Sequence, residues 1–261
     1  MAQQLQAFVL GTVQGLTEFL PVSSSAHLVL VPWLMKWHDQ GLAFDVALHL
    51  GTLMALLIYY WRQWLAMGAS LVNGDRPQRR LLSLLVVASI PGAIIGLLFE
   101  KQAETIFRSP LLIAAALALL GLALWFFDRV EPQGRSMEEM TYLDALLIGL
   151  SQAFAIVPGV SRSGSTITMA RILRVTREDA ANFSFLMATP IIAGAGLVEG
   201  RHLVANGISH DIWIGFAAAA VFGLIAIAAL IRFVRTRSYE PFAWYRIVLA
   251  LFVVAVFLHR A

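Results

Sequence analysis

Four stretches of this chain run for 19 or 20 residues without an Asp, Glu, Lys or Arg: 81–99, 109–127, 180–198 and 212–231. About 20 mostly apolar residues are what a helix needs to cross a bilayer. Residues 46–61 form a fifth such stretch, extended by Phe44 and Asp45, and 247–259 a sixth, lengthened backwards through Pro241 to Tyr245. Of 261 residues, 59% are hydrophobic and 13% charged, against about 45–50% and about 25% in soluble domains. A soluble globule, a disordered chain and a nucleic-acid binder are thereby excluded, and the expected fold class is an all-α integral membrane protein. The absence of cysteine removes disulfides, thiolate metal sites and cysteine nucleophiles. A net charge of +3 is too small to point to an anionic polymer. Met1 to Val13 carries no basic residue, so no cleaved signal peptide is expected.

Two further apolar regions behave differently. Residues 1–35 hold Glu18 and His27 at their middle, and residues 143–172 hold Arg162. Each is broken at its centre by proline, Pro21 in the first and Pro158 in the second, leaving halves too short to span. The expectation is a re-entrant hairpin in each, since irregular backbone at membrane depth survives only inside protein or beside a wet cavity. The two regions align at a shift of 138: Gly11 with Gly149, Gln14 with Gln152, Val22 with Val160, Ser23 with Ser161, Ser25 with Ser163. With one more residue of shift, Phe44 meets Phe183. Each half is then one hairpin plus three spans. An odd number of spans inverts the second copy, giving an inverted-topology repeat. The expected organisation is a single membrane domain, with repeat one over about 1–128 and repeat two over about 139–261.

Segments 62–80, 128–144, 171–178 and 232–240 carry 12 of the 19 basic residues, and the opposite set (Lys36, Lys101, Arg108, Arg201, Arg260) carries five. The positive-inside rule places the first set in the cytoplasm and both termini and the first hairpin's mouth outside.

A carboxylate at membrane depth is costly and so a functional candidate by default. Glu18 is one, and Gln14, four residues earlier, shares its helix face. Ser23 or Ser24 is a natural N-cap after Pro21, which puts His27 in the next helix's first turns. Serine and histidine together are a minimal nucleophile-and-base pair, with Glu18 available to orient or balance the histidine. After Pro158-Gly159 come Ser161, Arg162, Ser163, Gly164, Ser165 and Thr166. That is a helix N-terminus with free N–H groups and several hydroxyls, suited to anions. Arg162 adds a bidentate fork for phosphate, and Gly164 would let a ligand approach the backbone. If the hairpins meet, the site suits a phosphate or diphosphate whose tail stays in lipid. A hard divalent cation, Mg²⁺ or Ca²⁺, is compatible, with Glu18 and Gln14 as ligands and substrate oxygens completing the shell. His38, His202, His210 and His259 read as loop or end residues, Asp45 and His49, one turn apart near the outer end of a span, as at most supporting the site from behind, and Glu131 to Asp144 as a solvated loop.

The run Gln14-Gly15-Leu16-Thr17-Glu18-Phe19-Leu20-Pro21-Val22-Ser23-Ser24-Ser25-Ala26-His27 closely resembles the first signature of bacterial undecaprenyl-pyrophosphate phosphatases of the bacitracin-resistance type. Pro158-Gly159-Val160-Ser161-Arg162-Ser163-Gly164-Ser165-Thr166 resembles the second, and Phe183 to Leu186 with Pro190 also look like the family. The likeness covers essentially the whole chain. It implies hydrolysis of undecaprenyl pyrophosphate to the monophosphate lipid carrier of cell-wall synthesis, bacitracin resistance, and an inner-membrane enzyme with an outward-facing site. Carried over by motif, Glu18, Ser24, His27 and Arg162 match catalytic positions, and Ser161 and Thr166 match residues around the phosphate. Gln14 stands where many members have Glu, and Ser25-Ala26 where Thr-Gly is common.

The expected substrate-binding set is therefore Gln14, Ser23, Ser25, Ser161, Ser163, Gly164 and Thr166. Expected partners are the polyprenyl pyrophosphate and membrane lipid, with a homodimer left open and no nucleic acid. The expected mechanism has Ser24 attacking the terminal phosphoryl group while His27 manages the proton. Direct attack by water is the variant. The rival class is a transporter or flippase of a polyprenyl phosphate lipid, since broken helices in inverted repeats are a transporter device.

Overall fold

The computed structural model describes residues 2–38, 40–99, 106–130, 132, 134–205 and 209–260. Lys101 and Glu131 fall outside that set, as do the side chains of Arg201 and His202. Among the described residues eleven α-helices follow one another: α1 (Ala2–Phe19), α2 (Ser24–Met35), α3 (Leu42–Tyr59), α4 (Trp61–Asn73), α5 (Arg76–Leu98), α6 (Pro110–Val130), α7 (Tyr142–Ala153), α8 (Arg162–Ile172), α9 (Arg177–Ala205), α10 (His210–Val234) and α11 (Glu240–Arg260). Among the described residues the only β pairing is an isolated bridge between Arg135 and Val175.

The charge-free stretches become helices long and apolar enough to cross a membrane: α5, α6, the first part of α9, α10 and α11. The sixth expected span is α3, which continues into α4 through a 73° bend at Tyr60. The sequence reading left 62–80 as a cytoplasmic segment and missed α4. That helix buries Met67 and Ser70 while Leu65, Leu71 and Val72 stay exposed. The expected breaks after α1 and α7 are present, so α1–α2 and α7–α8 form two hairpins, but α1 is 18 residues long, longer than the short half expected, because the helix runs unbroken up to Phe19.

Small residues decide which helices touch. A Cβ on Gly11 would overlap the backbone carbonyl of Gly215, and one on Gly15 would come within 2.7 Å of Ala219 O. Helix α1 therefore lies backbone-to-backbone on α10, the small-residue contact that drives helix association in lipid. Gly149, 138 residues after Gly11, does the same to Ala88, seating α7 on α5. Helix α3 packs on α10 and α9 on α5, while α6 packs on α11 and α3 on α9. The main core is largely aliphatic, with Phe19 edge-on to Phe185 at 5.2 Å within it.

The four basic segments meet at one end of the molecule. Buried Asp128 accepts from Arg171 at 3.0 Å, Arg177 at 2.7 Å and the Tyr239 N–H at 2.9 Å. Arg80 donates to the carbonyls of Glu138 and Met140, and Arg235 pairs with Glu178 at 2.8 Å. The stretch read as a solvated loop is partly tied down there. Arg135 holds Asp144 at 2.6 Å, and Thr141 and Asp144 form a capping box on α7. Burial pushes the Asp144 carboxyl up, but the bonds from Arg135 and Thr141 outweigh it and hold it below its ordinary value.

Candidate active site

Each hairpin turns on a serine in an unusual backbone state. Pro21 and Pro158 deny the helix a donor, and the chain re-enters helix after Ser23 and Ser161. Both serines have positive φ, 74° and 70°, which costs a non-glycine residue about 1–2 kcal/mol. Their hydroxyls cap the new helices, Ser23 accepting from Ala26 N at 3.4 Å and Ser161 from Gly164 N at 3.0 Å.

The breaks are also stitched to each other. Gly159 N–H donates to Ser23 Oγ at 3.0 Å, and Ser163 Oγ donates to the Leu20 carbonyl at 3.2 Å. Fully buried Arg246, on α11, donates to Pro21 O at 3.3 Å, Gly159 O at 2.8 Å, Val160 O at 3.0 Å and Leu117 O at 3.3 Å. It clasps both breaks at once. Gly164 leaves room for this clasp, because a Cβ there would lie 2.5 Å from Arg246 Nη1.

Glu18, on the last turn of α1, is where the two hairpins exchange charge. Arg162 Nη2 donates to its Oε1 at 2.7 Å. Ser24 Oγ donates to Oε2 at 2.5 Å and Gln14 Nε2 at 3.0 Å. Arg162 also donates from Nη1 to Ser184 O at 3.1 Å, and Thr166 Oγ1 bonds Ser184 Oγ at 2.7 Å. The buried carboxylate is thus paired and hydrogen-bonded, the condition under which such a charge survives burial.

The histidines exchange places relative to expectation. His27 turns away from Ser24 and Glu18. Its Nδ1 faces Ser23 O at 2.7 Å, so Nδ1 carries the proton, and Nε2 faces the Tyr245 hydroxyl at 2.7 Å, with the two rings stacked 9° from parallel. Both nitrogens are occupied. His49, expected at most to support the site from behind, lies with Nε2 3.5 Å from Glu18 Oε2 and Nδ1 2.7 Å from the Asp45 carbonyl. Asp45 itself pairs with Arg108 at 3.5 Å. The sequence signal was present, since Asp45 and His49 sit one turn apart. Nothing local placed that turn against Glu18.

A cavity of about 320 Å³ opens beside this cluster. Glu18, Ser24, Ser25, Ser161 and Arg162 form part of its wall, with His49, Asp45, Arg108 and Gln152 among the other polar groups. The rest is apolar, including Leu28, Val46, Ile156, Ile191 and Ile192. Gln14, Ser23, Ser163, Gly164 and Thr166 stand behind the wall, bonded to residues that line it, and His27 lies one contact further back, on the Ser23 carbonyl. Sequence reasoning missed Tyr245 and Arg246 as well. Nothing in the local sequence shows that Arg246 is fully buried or that the Tyr245 hydroxyl meets His27, since both contacts are made across the fold.

For the cation, Gln14 Oε1 is buried without a partner among the described residues and lies one turn from Glu18, which suits an oxygen-seeking ion. No group of three His, Asp or Glu gathers elsewhere among the described residues to hold one.

A sequence model of the family described as bacitracin resistance protein BacA matches residues 7–252. The undecaprenyl-diphosphatase of Moorella thermoacetica is 54% identical over 254 residues, 97% of each chain. That of Pelotomaculum thermopropionicum is 49% identical over 252 residues, 96% of each, and that of Gemmatimonas aurantiaca 49% over 262 residues, 98% of each.

Proposed function

The chain belongs to the bacitracin resistance protein BacA family, and on that premise we propose that its cavity is where undecaprenyl diphosphate loses its terminal phosphate. The activity is a hydrolase's: the anhydride bond is cleaved to undecaprenyl phosphate and inorganic phosphate, in a multi-pass bacterial membrane protein. The observation that carries the assignment of residues is the 2.5 Å bond from Ser24 Oγ to Glu18 Oε2 at the cavity wall. A serine hydroxyl aimed at a carboxylate is an activated nucleophile.

The chemistry then runs as follows. Ser24 Oγ forms a bond to the terminal phosphorus while its proton passes to Glu18, and the bridging P–O bond breaks, releasing undecaprenyl phosphate. Arg162, with N–H groups to spare beyond its two partners, stabilises charge on the phosphoryl oxygens. Water attacks the phosphoserine, inorganic phosphate leaves, and Ser24 recovers its proton. His49 Nε2, next to the same Glu18 oxygen, relays that proton. This replaces His27 in the proton role expected from the motif. His27 instead fixes the Ser23 carbonyl, and with it the N-terminus of α2. A divalent cation, Mg²⁺ or Ca²⁺, would be held by Glu18 and Gln14 and would supply charge neutralisation on the diphosphate.

Two further features belong to this reading. The chain is an inverted repeat, supported by the matched contacts of Gly11 and Gly149 and by the two positive-φ serines 138 residues apart. The cavity faces outward, supported by the basic count and by the gathering of the basic segments at the end remote from Asp45.

The test is phosphate release from undecaprenyl diphosphate by the purified protein, with and without EDTA. Ser24→Ala should lower kcat by at least about 10³-fold, the scale of losing a covalent nucleophile. Arg162→Ala is the poorer probe, because orphaning buried Glu18 costs about 3–5 kcal/mol of stability. Near-normal turnover by Ser24→Ala would leave direct attack by water. A parent protein that releases no phosphate would remove the phosphatase reading.

A further inference from the structure

Gln152, on the last turn of α7, is 4% exposed and forms part of the cavity wall. Among the described residues neither its Nε2 nor its Oε1 has a hydrogen-bond partner. A buried amide with both ends unpaired is costly, and native proteins rarely keep one without a use. Gln14, at the matching place in the first hairpin, shows what is missing. Its amide donates to Glu18, one turn further on, whereas Ile156 stands one turn after Gln152. The second hairpin has kept the amide and lost the carboxylate.

The site is also cleared from the opposite side. Gly92, on α5, lines the same cavity, and a Cβ there would collide with Gln152 Nε2. The residues that follow Gln152 along this wall, Ala153, Ala155 and Ile156, are apolar, as are Ile191 and Ile192 elsewhere in it. Besides the Glu18–Ser24–Arg162 cluster, His49 and the Asp45–Arg108 pair, the cavity wall thus carries a neutral amide whose neighbours along the chain suit a hydrocarbon chain.

We propose that Gln152 binds the lipid-linked phosphoryl group of the substrate, its amide N–H groups donating to that phosphate's oxygens while the terminal phosphoryl group lies at Ser24 and Arg162. This rests on the phosphatase reading and adds to it. A neutral donor suits the group that stays on the lipid, because it holds substrate and releases product without adding a fixed positive charge to those of Arg162 and Arg108. It follows that substrate and lipid product share the Gln152 contact, whereas inorganic phosphate does not use it.

The test is Gln152→Met in the full-length protein, which keeps length and removes both polar atoms. Losing hydrogen bonds to a charged group should raise KM for undecaprenyl diphosphate by about ten- to hundredfold. The inhibition constant of undecaprenyl phosphate should rise by the same factor. The kcat should stay within about threefold and inhibition by inorganic phosphate should not change. The midpoint of thermal inactivation should hold or rise, because an unpaired amide has been removed. Gly92→Ala, which displaces the amide, should shift the same constants in the same direction. An unchanged KM, a KM that worsens only with a falling thermal midpoint, or altered inhibition by inorganic phosphate would each overturn the assignment. Direct binding of undecaprenyl phosphate separates the two claims. A parent that binds this lipid yet releases no phosphate from the diphosphate removes the phosphatase reading, and the Gln152→Met comparison of binding still decides the proposal.

Discussion

The Gly159 N–H donates to Ser23 Oγ at 3.0 Å across 136 residues, so the cap of one broken helix is also the anchor of the other break. The hydroxyl does two jobs, and Ser23 holds its positive φ in return. Ser23→Ala should cost about 2 kcal/mol, from a lost cap and an orphaned buried donor, and should lower turnover through the displaced α2 N-terminus. At Ser161, whose hydroxyl makes no such cross-link, a glycine variant should be better tolerated than Ser161→Val, because glycine adopts φ near 70° without strain and a β-branched residue does not. Thermal inactivation midpoints of the three variants check this order.

The division of labour between the histidines is open to a direct kinetic comparison. His49→Ala should lower kcat by about 10²-fold, the lower range for a general acid–base group, with little change in stability. Tyr245→Phe should reproduce the effect of His27→Gln, since the two side chains form one couple, and both should reduce thermal stability along with activity. If His49→Ala keeps full turnover while His27→Gln loses it without loss of stability, the motif-based role for His27 is right after all.

Gly11 tests the packing argument. Any side chain there meets the backbone of Gly215, which no rotamer change can relieve. Gly11→Val should therefore destabilise the protein by about 1–3 kcal/mol or more through overpacking, and Gly149→Val should do likewise against Ala88. Gly68, with nothing within 4 Å of its Cβ position, is the control that should change little.

The Arg135–Asp144 clasp predicts an acid-sensitive contribution. The Asp144 carboxyl is held below its ordinary value of 3.8 in the folded protein. A depressed carboxylate stabilises above the unfolded pKa and loses that contribution as pH falls through the lower folded value. Asp144→Asn should thus lower the thermal inactivation midpoint relative to the parent at neutral pH, and the gap should close below about pH 3.8.

The sequence by itself determined the elements and their environment. Uninterrupted apolar runs can satisfy their backbone only as spanning helices, so the spans over 81–99, 109–127, 180–198 and 212–231 follow from composition and length. The breaks at Pro21 and Pro158 follow from proline's missing N–H. Glu18 and Arg162 announced themselves because a charge among apolar residues has a cost that something must offset. What only the tertiary structure decided is which side chains meet. Hydrogen bonds and ion pairs act over about 3 Å, and residues as far apart as Glu18, His49, Arg162 and Arg246 come within that range only after the helices have docked. That docking rests on Gly11, Gly15 and Gly149, whose absent side chains carry no chemical signal of their own. The same physics turned His27 toward Tyr245, left Gln152 without a partner and put His49 beside the carboxylate.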